Sequence, residues 1–294
     1  MRKSIGDKII HARDVQTFSL QMGCKQFQVI QPWFDLSQNA SCERFQDQDL
    51  DSVWFVKKSD TFGGVGMEVN YLRNFKNICP MKGHLAMKYD IQNILLVKQK
   101  KFDIRLYVFI YTDPLVVYIN YGYLQMATES FEVGNFDKDT VHNTNPHVCS
   151  SIRPIKECLL PFDFLQGLKL VKGRIDQVVL FHLFSIPNLM ERKERTFFKL
   201  GLDVALDKHM NPYVYDINTS PASRAGNQIP FVMKAWYYPW LQFLDIIQEI
   251  EIRRKLGKEI KVQKLGTEQS HLKLVYQEGD DIECYRKDNA DLEL

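Results

Sequence analysis

DVALDKHMNPYVYDIN, residues 203–218, is the stretch that decides the fold of this chain. Its pattern predicts two short strands joined by a turn at Lys208–Pro212, with Asp203 at the end of the first strand. Asp216 and Asn218 lie near the end of the second. Residues two apart in a strand point to one face, so Asp216 and Asn218 project together, and Asp203 on the neighbouring strand reaches the same point. Two carboxylates and an amide converging from rigid strands suit a hard cation. Mg²⁺ is usually held by one or two carboxylates plus substrate phosphates. The same residues also read as a hairpin with solvated acidic side chains, and the rest of the chain decides between the two.

At 294 residues, with 45% hydrophobic and 25% charged side chains, the chain has ordinary globular composition and can bury a substantial core. A net charge of +2 gives no bulk electrostatic argument for a nucleic-acid partner. Basic residues cluster at Lys98, Lys100, Lys101 and Arg105 and again at Arg192, Lys193, Arg195 and Lys199. Either cluster reads as a solvated face; two of them flanking one site would steer an acidic peptide. The six cysteines have neither C-x-x-C spacing nor a paired pattern, so reduced thiols in an intracellular protein are expected. No signal-peptide core or membrane-length apolar run is present, and a cytoplasmic monomer with no membrane partner is expected.

Taken in order, residues 1–50 read as a helix and one strand, followed by an exposed polar connection over 37–52. VWFVKK (53–58) and the stretch after it form strands around a glycine-rich loop, SDTFGGVGM (59–67). Such a loop lays backbone N–H groups along phosphates without side-chain clash, and Lys57 adds an ammonium beside it. Strands follow at 84–91, 94–97, 101–111 and 116–118, and another over 121–131; residues 135–148 read as a long loop. On the strand 102–110, Asp103 and Arg105 share one face while Phe102, Ile104 and Leu106 share the other. Residues 161–196 read as two helices with His182 in the core, and 229–256 as an amphipathic helix. Residues 257–294 read as a partly disordered tail.

Together the segments WFVKKSDTFGGVGM (54–67), LAMKYDI (85–91), KFDIRLYV (101–108), GYLQMATESF (122–131), HNTN (142–145), KLGLDVALD (199–207) and YDINTSPA (215–222) resemble the tubulin–tyrosine ligase-like family, in family order. The resemblance implies an α+β ATP-grasp fold: antiparallel-rich sheets with flanking helices and the nucleotide between two subdomains. Residues 51–97 would form the small subdomain with the glycine loop, and 98–256 the C-terminal subdomain with the metal site. Residues 1–50 would be a residual segment of a truncated N-terminal domain, and 257–294 the tail.

The resemblance also implies a site. Lys57, Gly64 and Gly66 would hold the ATP phosphates, and Met87, Lys88, Tyr89 and Asp90 would frame adenine. Thr144 and Asn145 would lie near the nucleotide. Lys101 and Arg105 would face the γ-phosphate and the activated carboxylate, with Asp103 orienting or deprotonating the attacking amine. Asp203, Asp216 and Asn218 would be the Mg²⁺ ligands. Asp7-Lys8 resembles a short family motif whose lysine approaches ATP. The sequence departs from the family at Gln125, where an arginine usually binds the incoming amino acid, and at Gly63 and Val65, where basic residues are frequent. The implied function is ATP-dependent ligation of a free amino acid to a protein carboxylate on tubulin or another acidic tail, in a cytoskeletal setting. The alternatives are a nucleotide-binding pseudo-ligase that docks on tubulin, and an ATP-grasp ligase for a small peptide.

Overall fold

The computed structural model describes residues 6–24, 29–61, 66–75, 78–90, 92–136, 139–164, 167–187, 189, 195–221, 229–261 and 271–284. The main elements are α1 (Lys8–Gln21), β1 (Trp33–Asp35), α2 (Asn39–Gln46), β2 (Val53–Lys58), β3 (Glu68–Tyr71) and β4 (His84–Lys88). There follow β5 (Leu96–Val97), β6 (Lys100–Thr112), β7 (Leu115–Met126), β8 (Leu159–Pro161) and α3 (Leu168–Ser185). The chain continues through β9 (Phe197–Leu206), β10 (Pro212–Asn218), α4 (Pro230–Lys255) and β11 (Lys273–Gln277). β1–β4 make a four-stranded sheet of order β1-β4-β2-β3. The other sheet has seven strands, in the order β10-β9-β6-β7-β11, with β5 added to β6 and β8 to β7. Neighbours pair antiparallel throughout, so the class is α+β.

β6 is the centre of the larger sheet, and its alternation organises everything around it. Phe102, Ile104, Leu106, Val108 and Ile110 enter one core, with Val171, Ile175 and Val178 of α3. Tyr107, Phe109 and Tyr111 enter a second core on the opposite face, under Val232, Phe243 and Ile246 of α4. Lys101, Asp103 and Arg105 continue that second face beyond the aromatic residues, where α4 gives way to the cleft. One strand thus carries core and site on the same face, divided between its two halves.

The N-terminal helix is held onto this frame. Asp7 caps α1 by accepting from the backbone N–H of Ile9 at 2.9 Å and Ile10 at 3.1 Å. Ala12 and Val15 join the α3 core, Phe18 meets Phe181 edge-on, and His11 Nε2 lies 2.9 Å from His182 Nδ1. Burial holds the His11 and His182 pKa values low, that of His182 at about 4, so both rings stay neutral at pH 7.

Several expectations are corrected. Residues 39–46 are a helix, because Cys42 and Phe45 bury one face against β1 and β2. Residues 115–126 are one long strand rather than two. Short helical turns at Asp139–His142 and Pro146–Ser150 replace the expected long loop. Of the two helices read in 161–196, the described residues show one α-helix, α3. Part of the expected tail, Lys273–Gln277, pairs with β7 as β11; residues 285–294 lie outside the described residues.

The cysteines are not reduced thiols. They pair as Cys24–Cys284, Cys42–Cys79 and Cys149–Cys158, with Cα separations of 5.5, 5.7 and 5.8 Å. Partners 260 and 37 residues apart leave no local spacing to read. Among the described residues no helix is long and apolar enough to cross a membrane.

Candidate active site

Antiparallel register places the predicted metal corner. Asp216 lies opposite Asp203, and Asn218 opposite Gly201. The turn falls at 207–211, one residue earlier than the sequence pattern implies, and β9 runs on to Leu206, so Asp203 sits inside the strand rather than at its end. A bulge between Val214 and Asp216 resets the pairing there. Gly201 is required locally, since a Cβ would stand 2.7 Å from the Pro221 ring.

Asp203 is bound hard by β6. Arg105 donates to it through Nε at 2.6 Å and Nη2 at 3.0 Å, a two-pronged pair largely out of water. Burial pulls the guanidinium pKa down, but Asp203 with Tyr123 outweighs this and the net shift is upward. Burial in turn raises the Asp203 carboxyl against the opposing pull of Arg105. Asn218 Nδ2 reaches Asp203 Oδ2 at 3.5 Å. Asp216, more exposed, lies 3.8 Å from the Lys8 ammonium, which also donates to the Thr61 carbonyl at 2.7 Å. The capped start of α1 thereby delivers Lys8 to the same corner.

The cleft continues along β6. Thr144 donates to Asp103 Oδ2, and Lys101 Nζ lies 3.4 Å from the same oxygen and 3.1 Å from the His142 carbonyl. Asp103 Oδ1 is buried with no hydrogen-bond partner among the described residues, an orphaned acceptor in a cleft-lining side chain. Gln125 stands opposite Asp103 on β7. Lys57 enters from β2 above the Phe55 and Tyr215 rings, 5.1 and 5.4 Å from their centroids. Burial lowers its pKa to about 8, partly opposed by Asp216.

The structure brings Lys57, Lys101, Asp103, Arg105, Thr144, Asn145, Asp203, Asp216 and Asn218 into one cleft. Gly64, Arg192 and Lys193 lie outside the described residues. Gly66 has φ +70 on an exposed turn. Met87, Lys88, Tyr89 and Asp90 do not line the cleft: Met87 turns into the α3 core, while Lys88 and Asp90 face solvent. Tyr89 is buried against Phe55, 4.2 Å between centroids, and supports the cleft from behind. Phe55, Met67, His142 and Tyr215 also line the cleft, though nothing in their spacing marks them. His142 stacks on Phe136, and burial with Lys101 nearby lowers its pKa to about 4.

The donor set at this corner suits Mg²⁺. Asp203 and Asp216 supply hard oxygen donors, and a half-turn of the Asn218 amide presents its carbonyl oxygen. The residues fit a magnesium ion that shares its coordination with phosphate oxygens.

The model of the tubulin–tyrosine ligase family matches residues 6–157. The chain belongs to this family. The match starts at the Asp7 cap and runs through β6, β7 and the His142–Asn145 loop. Tubulin glycylase 3F of Tetrahymena thermophila is 22% identical over 256 residues, covering 76% of this chain and 28% of that protein. The probable tubulin polyglutamylase ttll-9 of Caenorhabditis elegans is 27% identical over 244 residues, covering 75% of this chain and 57% of that one. The chain thus spans between about a quarter and three-fifths of the length of these relatives. Among solved structures, the C-terminal domain of an ATP-grasp enzyme from K. lactis superposes with a TM-score of 0.61 at 15% identity, covering 95% of this chain and 81% of that one. The fold is ATP-grasp.

Proposed function

We propose that this chain is an ATP-dependent ligase that joins a free amino acid to a carboxylate of an acidic protein tail. The observation that carries this reading is the arrangement of Lys57, Lys101, Asp103, Arg105, Asp203, Asp216 and Asn218 around one cleft. A carboxylate oxygen of the acceptor attacks the γ-phosphorus and ADP leaves; the amine nitrogen then displaces phosphate from the acylphosphate, closing the amide. Negative charge spreads over the transferring phosphoryl group, so cations held in place lower the barrier by positioning and electrostatics. Lys57, Lys101 and Lys8 supply that charge from three elements. Asp203, Asp216 and Asn218 would hold Mg²⁺, which when bound neutralises phosphate oxygens. The orphaned Asp103 Oδ1 accepts a proton or a hydrogen bond from the incoming amine.

Tubulin is the acceptor that the family relation favours, and glutamate, glycine and tyrosine are the donors to test. The three cystines favour an acceptor in an oxidising compartment rather than the cytoplasm. Incubation with ATP, Mg²⁺, each labelled amino acid and either tubulin or decaglutamate, read by intact mass, separates these readings. Addition of whole amino-acid residues with release of ADP is expected. Mg·ATP binding with no transfer to either acceptor would replace the ligase by a nucleotide-binding pseudo-ligase. Alkylation of the protein denatured without reductant should label no cysteine; six labelled thiols would restore a reducing compartment.

A further inference from the structure

A second cavity, of about 580 Å³, opens at the outer edge of β7. β11 pairs with this edge as far as Ile119, and β8 pairs with it only from Tyr123 onward. No described strand covers residues 120–122 between them on that side. The register of β6 on β7 shifts at Gly122, where a Cβ would stand 2.5 Å from the Arg105 carbonyl oxygen. Only glycine fits there, and a strand edge bent by such a bulge does not extend its ladder.

Charge in this cavity is one-sided. Lys172 of α3, Lys234 of α4 and Lys273 of β11 line it, and Asp163 is the one carboxylate among the lining residues. Asp176 beneath is already engaged, accepting from Lys273 at 2.5 Å and from Tyr121. Lys172 lies over the Tyr121 and Phe162 rings, 4.7 and 5.2 Å from their centroids, and forms no salt bridge among the described residues. Concave ligand sites run to roughly 300–1,000 Å³, and this one matches an anion with an aliphatic stem. The lysines take the charge and the two rings take the methylenes.

We propose that this cavity is a docking site for an acidic stretch of the polypeptide acceptor, separate from the carboxylate being modified. The proposal rests on the ligase reading of the cleft. Gln125 in the cleft and Gly122 in the cavity are three residues apart on β7, about 10 Å along the strand. An extended acceptor advances about 3.3 Å per residue. An extended acceptor of several residues is long enough to engage both.

The test is fluorescence anisotropy of labelled decaglutamate on the whole chain, without ATP, at low salt. Wild type is expected to bind, Lys172→Met with Lys234→Met to weaken binding roughly tenfold, and the exposed Lys234→Glu alone roughly threefold. Mg·ATP affinity should be unchanged in both variants, which also reports that they are folded. The proposal is overturned if wild type does not bind, or if the double variant binds within about twofold of wild type. It is equally overturned if a ten-nucleotide thymidine strand binds as tightly and with the same lysine dependence. Because no turnover enters the assay, its failure is distinct from that of the ligase reading. Lysine-dependent binding with no ligation would remove the ligase alone, and ligation with lysine-independent binding would remove the docking site alone.

Discussion

The strand-borne floor of the cleft and its rim are built by different rules. On the floor, Asp103, Arg105, Asp203 and Asn218 are placed by strand alternation and register, and most of their charge is answered by a neighbour. On the rim, Lys8 is placed by a helix cap and met by Asp216 and the Thr61 carbonyl, and Thr144 and Asn145 sit between two short helical turns. The floor combines fold and chemistry, so altering it costs stability as well as function. Altering the rim costs function first.

The largest expected effect breaks the floor. Asp203→Ala leaves Arg105 buried without its partner, and losing one member of a buried pair costs about 3–5 kcal/mol. Chemical denaturation should show that loss together with abolished turnover. Asp203→Ala as stable as wild type would mean that the pair contributes no net stability.

The next effect concerns the seat of the rim helix. His11 and His182 are neutral in the fold, and the pKa of His182 lies near 4, below the ordinary value of 6.5. Unfolded chains therefore take up protons first as pH falls. Stability is full above about pH 6.5 and declines toward pH 4, by about 3 kcal/mol for His182 alone. Denaturant midpoints between pH 7 and 4 check this. His182→Phe should flatten the decline, and an equally steep decline in that variant would place the titrating group elsewhere.

A smaller effect sharpens donor recognition. Gln125 is buried in the cleft, at the position where the family resemblance implies an arginine. A charge-assisted hydrogen bond to a carboxylate contributes roughly 1.5–3 kcal/mol. Gln125→Arg should lower the donor KM by about tenfold or more. An unchanged or higher KM would remove Gln125 from donor recognition.

This division explains what was legible in the sequence. Asp216 and Asn218 share a face because strands alternate, and Asp103 and Arg105 do so for the same reason. The period of two is visible in one dimension. The bulge at Tyr215, the end of β9 at Leu206 and the second partner of Arg105 depend on register between distant strands, which no local spacing encodes. The Cys24–Cys284 link and the pairing of β11 with β7 are further off still, since each joins segments far apart in the chain. The side chain of Met87 on β4 turns toward the α1–α3 core and borders a small pocket with Lys8, Tyr215 and Asp216, an environment decided by packing rather than by spacing.

In the proposed site the β9–β10 corner holds magnesium and ATP together. Asp216 is the residue to test, because it is not locked into the Arg105 pair and its loss should leave the fold near native. Calorimetric titration of ATP into wild type and Asp216→Ala, with and without magnesium, tests this directly. Magnesium-dependent binding to wild type is expected, weakened by about tenfold or more in the variant. Equal affinity for the two proteins, or binding indifferent to magnesium, would contradict it.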